Sequence, residues 1–201
     1  GVVVTDEASL NAAADDYGHI VHRKPMAVLK PKNSEDVAKM VKFARQNGIK
    51  VAARGQGHST QGQSQVEAGV VIDLSSMANI HEIEHDETVV DAGIKWLDLL
   101  RTTFAQGLTP PALTDYISLS VGGVLSVGGL ASQSPWKGGL VDNVLELEVV
   151  TGKGKIEECS PHKKSELFNA VRSGLGQFGI ITRAKLRLTR APQMTRLYHA
   201  F

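Results

Sequence analysis

Residues 49–63 read Ile49-Lys50-Val51-Ala52-Ala53-Arg54-Gly55-Gln56-Gly57-His58-Ser59-Thr60-Gln61-Gly62-Gln63. A short run of strand character enters a Gly-x-Gly turn. Alternating glycines remove side chains, so successive N–H groups can turn toward one anion, the geometry of a phosphate nest. A Rossmann fingerprint would need its third glycine at position 60, which is Thr60, and a Walker loop would need Gly-Lys-Ser/Thr. The same residues can equally form a glycine-rich turn between strands with a histidine on the surface. A short glycine motif alone does not decide between the two.

The flanks give the turn its setting. Met26–Leu29 is an apolar strand ended by Pro31. Residues 33–48 follow as a helix, with Ser34 at the N-cap position, acids directly after it, and Val37, Met40, Val41 and Ala44 at helical spacing. Gly48 stands where a left-handed residue closes a helix. Ile49–Ala53 and Gly69–Leu74 are the next strands. Strand, helix and strand in succession imply a parallel βαβ unit, and this defines a first lobe over residues 1–75. Its opening, residues 5–18, reads as a short helix capped by Thr5 or Asp6.

The second stretch, residues 76–190, changes style. His81–His85 and Thr88–Ala92 predict a hairpin, and Trp96, Leu97, Leu99, Leu100 and Phe104 a helix ending near Gly107. Asn143–Thr151 and Lys155–Cys159 flank Gly152-Lys153-Gly154 as a second hairpin. Ser165–Arg172 is a helix and Gly179–Thr189 a long strand. Helices mixed with hairpins make an α+β lobe. Residues 191–201 read as a strand beginning again, the start of a further domain.

Composition excludes several classes. The 201 residues carry 22 Lys+Arg against 21 Asp+Glu, a formal charge of +1, with 42% hydrophobic and 21% charged residues. That is ordinary globular usage, not disorder, collagen or coiled coil. The near-zero charge gives no basic excess for nucleic acid, and no apolar run approaches the roughly 20 residues of a membrane helix. A single cysteine, Cys159, rules out an intrachain disulfide framework and an all-thiolate metal site; it reads as a buried small apolar residue. The pairs His19/His22 and His81/His85 lack the three or four convergent donors of a metal centre and read as surface, so no metal is expected.

Three further segments bear chemistry. Residues 118–130 hold two Gly-Gly pairs, 122–123 and 128–129, with interleaved serines. They can offer amides and hydroxyls to a polyphosphate, or pack as a close-fitting helix. Thr114-Asp115-Tyr116 precedes them, and residues 174–182 form a glycine-rich entry to a strand.

Together, ARGQGHSTQGQ at 53–63, LTDYISLSVGGVLS at 113–126, NVLELEVVTGKGK at 143–155 and GLGQFGIITRAKL at 174–186 resemble the flavoprotein fold of the vanillyl-alcohol oxidase and p-cresol methylhydroxylase (PCMH) type. Within it the likeness is to cytokinin dehydrogenases, over about residues 25–190. The resemblance implies a two-lobed α+β FAD-binding domain: a small parallel βαβ lobe plus a larger mixed or antiparallel one. It also implies a C-terminal substrate domain that is missing from these 201 residues.

Carried over by position, the resemblance makes Ala53, Gly55, Gln56, Gly57 and Ser59 the loop that holds the FAD pyrophosphate. His58 matches the histidine bonded covalently to the flavin 8α-methyl, and Gln63 a further cofactor contact. Ser120 stands where plant relatives usually have Thr. Ser126, Leu130 and Ile181 match later FAD contacts, the last mostly through backbone. Asp115 matches the acid that accepts a proton from the substrate's side-chain amine and borders the cofactor. Residues 132–139 depart from the plant pattern. The implied reaction oxidises the secondary amine of an N6-isoprenoid adenine to an imine, which hydrolyses to adenine and an aldehyde. The implied partners are a small-molecule substrate and an electron acceptor, quinone or oxygen, with no nucleic acid and no membrane. An FAD-linked oxidase of an alcohol, sugar or lactone, or a non-catalytic flavin-binding module, are the alternatives. The isolated 201 residues are expected to be inactive.

Overall fold

A computed structural model describes residues 1–192 of the chain. The residues expected to begin a further domain lie, from 193 on, outside those described. The elements run β1 (Val2–Val4), α1 (Glu7–Ala13), β2 (Ala27–Lys30), α2 (Ser34–Gln46), β3 (Val51–Arg54) and β4 (Val70–Asp73). They continue as β5 (Ile80–Glu84), β6 (Glu87–Asp91), α3 (Trp96–Phe104), β7 (Leu108–Thr109), α4 (Val121–Val127) and α5 (Ser134–Lys137). The last are β8 (Val144–Val150), β9 (Ile156–Cys159), α6 (Ser165–Val171), β10 (Ile180–Arg187) and β11 (Thr189–Arg190).

The first sheet has the order β1-β2-β4-β3, with β2 and β3 both parallel to β4. The βαβ expectation holds, and β4 lies between the two strands that α2 connects. Strand β1 was not anticipated: Val2–Val4 pairs antiparallel with β2, because three β-branched residues match the open strand edge. The cap of α2 differs as well. Asn33 Oδ1 accepts the Asp36 amide at 3.0 Å. Ser34 instead donates its hydroxyl across the molecule to Glu148 of β8, which also accepts from Thr182 of β10. Two short side chains compete for one capping position, and the tertiary partner settles which of them takes it.

The second sheet has the order β5-β6-β10-β8-β9, antiparallel throughout. The long strand β10 sits at its centre. Its core gathers Trp96, Leu99, Val121, Leu125, Leu147, Val149 and Phe168, all fully buried. Cys159 belongs to it with no exposed surface, and burial, then the Glu146 charge, pushes its thiol up to about 11. The two sheets share apolar contacts through α2. Val37, Ala38 and Val41 pack with Val150 and Ile180 of the second sheet.

The second glycine segment is helical. Residues 121–127 form α4, entered from an extended Ser120. Here glycine permits a close approach: a Cβ on Gly122 would stand 2.7 Å from the Ala92 Cβ. No helix among the described residues is long and apolar enough to cross a membrane.

Candidate cofactor cleft

The nest forms where β3 ends. Gly57 has φ +65°, and a Cβ there would lie 2.2 Å from Arg54 Nη2. A Cβ on Gly55 would lie 2.0 Å from the Ser120 hydroxyl. Both glycines are therefore required, one by backbone conformation and contact, the other by contact alone. Among the described residues the amides of Gln56 to Thr60 donate to no protein acceptor. Consecutive unspent N–H groups leave the loop's hydrogen bonds open for an anionic ligand.

The loop is held from behind. Asp16 is 3% exposed. It accepts the Gly62 amide at 2.7 Å, the Ser59 hydroxyl at 3.0 Å and the Gly18 amide at 3.1 Å. Burial alone would raise the Asp16 carboxyl. The bonds from Gly62, Ser59 and Gly18 and the charge of Arg54 outweigh it, holding the group below its ordinary 3.8. Arg54 donates to the Asp15 carbonyl at 2.7 Å and to Ser64 Oγ at 3.3 Å. Burial lowers its pKa, against the charges of Asp73, Asp16 and Asp15.

From the second lobe, α4 points its first turn at this loop. The amides of Val121 and Gly122 are spent on the carbonyls of Ile94 and Ala92. That leaves the amide of Gly123, so the segment offers fewer donors than its glycine pairs suggest. Ser120 makes no helix-capping bond, and its side chain stays at the meeting point with Gly55. Ser126 returns its hydroxyl to the Gly122 carbonyl at 2.8 Å. The glycine-rich entry to β10 closes the other end of α4, with Ser173 and Leu175 donating to the carbonyls of Leu125 and Ser126.

The cleft between these segments has a volume of about 550 Å³, within the range of small-molecule and cofactor sites. Ala53, Gly55, Gln56, Gly57, His58, Ser59, Gln63, Ser120, Ser126 and Leu130 all line it, with Thr114 and Gly123. Two expected residues do not. Ile181 is buried in the second core, paired with Val149. Asp115 lies on an exposed bend beside the cleft, next to Thr114. The sequence pattern gives Asp16 and Tyr17 no role beyond the tail of the first helix. That helix ends at Ala13, and no local pattern marks residues 15–17 as partners of a loop 40 residues on.

Three other histidines have carboxylate neighbours. His19 and His22 both approach Asp15, at 2.7 and 3.4 Å. His81 Nε2 lies 2.7 Å from buried Asp91, and both His81 and His85 stay exposed, as expected of surface residues.

A parallel βαβ lobe, an antiparallel lobe and a glycine-lined cleft with unspent amides between them define a domain that binds an extended, phosphate-bearing cofactor. The chain matches the family model described as FAD binding domain over residues 25–160. It belongs to that family, and its fold is the PCMH type of FAD-binding domain. It is 43% identical over 198 residues to an uncharacterized oxidoreductase, ORF5 of the fasciation locus, from Rhodococcoides fascians, covering 98% of this chain and 45% of that protein. It is 44% identical over 198 residues to cytokinin dehydrogenase 3 of Oryza sativa subsp. japonica, covering 94% of this chain and 38% of that one. Among solved structures it resembles 6-hydroxy-D-nicotine oxidase from Arthrobacter nicotinovorans, with a TM-score of 0.87, 28% identity, and coverage of 94% of this chain and 42% of that one. The chain spans less than half the length of the relatives it matches.

Proposed function

We propose that this chain is the flavin-binding part of a cytokinin-dehydrogenase-like amine oxidoreductase. The carrying observation is that ten of the twelve expected site residues, drawn from two distant segments, line one cleft whose loop amides are unspent. Lobes 1–75 and 76–190 together hold the cofactor, and residues 191–201 lead toward a substrate domain.

When bound, the flavin supplies a hydride acceptor. The amides of residues 56–60, Ser59 included, and of Gly123, with the Ser120 hydroxyl, bind the pyrophosphate, while the Ser59 hydroxyl stays on Asp16. His58 holds the flavin covalently. Asp115 takes the proton from the side-chain amine of an N6-isoprenoid adenine, which leaves as an imine and hydrolyses to adenine and an aldehyde. A base must reach the proton it removes, and Asp115 sits beside Thr114 at the rim, where substrate approaching the cleft passes. The rest of the full-length protein covers this rim. A small-molecule quinone or oxygen accepts the electrons.

The test is anaerobic mixing of the full-length protein with N6-isopentenyladenine or with polyols. Bleaching of the flavin band by the adenine is expected. Bleaching by polyols alone would replace this reading with the alcohol-oxidase alternative. Acid precipitation tests the link: yellow colour should stay with the wild-type polypeptide and be extractable from His58→Ala.

A further inference from the structure

Tyr17 and Tyr116 are 63% and 55% exposed, so burial in a core does not account for their placement. Both contact His58. The Tyr17 ring stacks on the imidazole at 4.0 Å between centroids and 15° between planes. The Tyr116 ring lies at 4.9 Å and 32°. Two rings cannot share one face of an imidazole at these distances, so one covers each side. Only the edge of His58, which carries its nitrogens, is left to face the cleft it lines.

Each tyrosine is fastened by backbone. The Tyr17 amide donates to the Gly57 carbonyl at 2.9 Å and the Gly18 amide to Ser59, so Tyr17 rides on the loop that carries His58. The hydroxyl of Thr114 donates to the Tyr116 carbonyl at 3.0 Å, fixing the bend that presents the second ring. The two lobes thus each contribute one jaw.

We propose that Tyr17 and Tyr116 are positioning residues that clamp the His58 imidazole edge-on toward the cleft for covalent attachment of the flavin. The inference rests on the reading of His58 as the linking residue. Joining an imidazole nitrogen to the flavin methyl carbon replaces one N–H and one C–H bond by one N–C bond. The two protons and two electrons released pass to the flavin and then to the quinone or oxygen acceptor. Neither tyrosine takes part in that exchange. Their effect is on orientation: an unclamped histidine samples three χ1 wells and two ring orientations, so the clamp favours attachment by roughly sixfold.

The experiment uses full-length apoprotein incubated with FAD, following acid-stable flavin over time beside total bound flavin. Tyr17→Ala and Tyr116→Ala should slow attachment about sixfold or more, with total binding unchanged. Tyr17→Phe and Tyr116→Phe, which keep the aromatic face, should attach at the wild-type rate. Leu at either position repeats the test without opening a gap. Ala and Leu variants that attach at the wild-type rate overturn the clamp and leave the His58 link standing. Total binding that falls in step with attachment also overturns it, since the tyrosines would then only shape the site. A wild type with no acid-stable flavin overturns the link and the clamp together.

Discussion

Asp16→Asn isolates the group that holds the cofactor loop from behind. The carboxylate accepts Gly62 and Ser59 on one oxygen and Gly18 on the other. An amide of the same shape has a single acceptor oxygen. Whichever way it is turned, its NH₂ faces either the Gly62 or the Gly18 amide, and one buried donor loses its acceptor. That costs about 1–3 kcal/mol. The remaining bonds weaken from charged to neutral, and buried Arg54 loses one of the three carboxylates that offset its burial. A total of about 3 kcal/mol lowers Tm by roughly 6–12 °C in a domain of this size. The assays are thermal unfolding at pH 7 and hydrogen exchange at the Gly62 amide, which should lose protection. The sign of the pH effect follows from the depressed carboxyl. Its stabilisation is complete above the ordinary value of 3.8 and is lost as pH falls through the lower folded value. Wild type and Asp16→Asn should therefore differ most near neutrality and converge in acid. A variant that melts within about 2 °C of wild type at pH 7, less than 1 kcal/mol on this scale, with Gly62 still protected, would refute the reasoning.

Gly55→Ala should destabilise the protein by displacing Ser120, whose hydroxyl stands 2.0 Å from the new Cβ. Adding Ser120→Gly should recover most of the loss in a thermal melt, and no recovery would place the strain elsewhere. Asp115→Asn in the full-length protein should lower substrate-driven flavin reduction by about 10²–10⁴-fold with unchanged FAD content; near wild-type reduction would remove the base role. Cys159, buried and with its thiol pushed up to about 11, should resist iodoacetamide at pH 8 in the folded protein and react once unfolded. Rapid labelling of the native chain would contradict its place in the core.

What the sequence by itself determined is local in origin. The apolar spacing of Val37, Val41 and Ala44 built α2 because helical periodicity places them on one face, and all three are buried. Gly48 and Gly107 close their helices at φ +66° and +73°, conformations that glycine alone adopts without penalty. The Gly-x-Gly turn after β3 was legible for the same reason, since its unspent amides belong to a few consecutive residues. The family likeness extended this to residues such as Ser120 and Leu130, which line the cleft.

Tertiary structure decided the rest. No periodicity ties Asp16 to Gly62, Gly55 to Ser120, or Ser34 to Glu148. Nor does the sequence say that glycines 122 and 123 enter a helix whose first amides are already spent on Ile94 and Ala92. Tyr17 and Tyr116 come from opposite lobes and meet only at His58. A hydrogen bond or a stacked pair forms between groups a few ångströms apart in space, and chain separation carries no record of that distance until the two sheets pack.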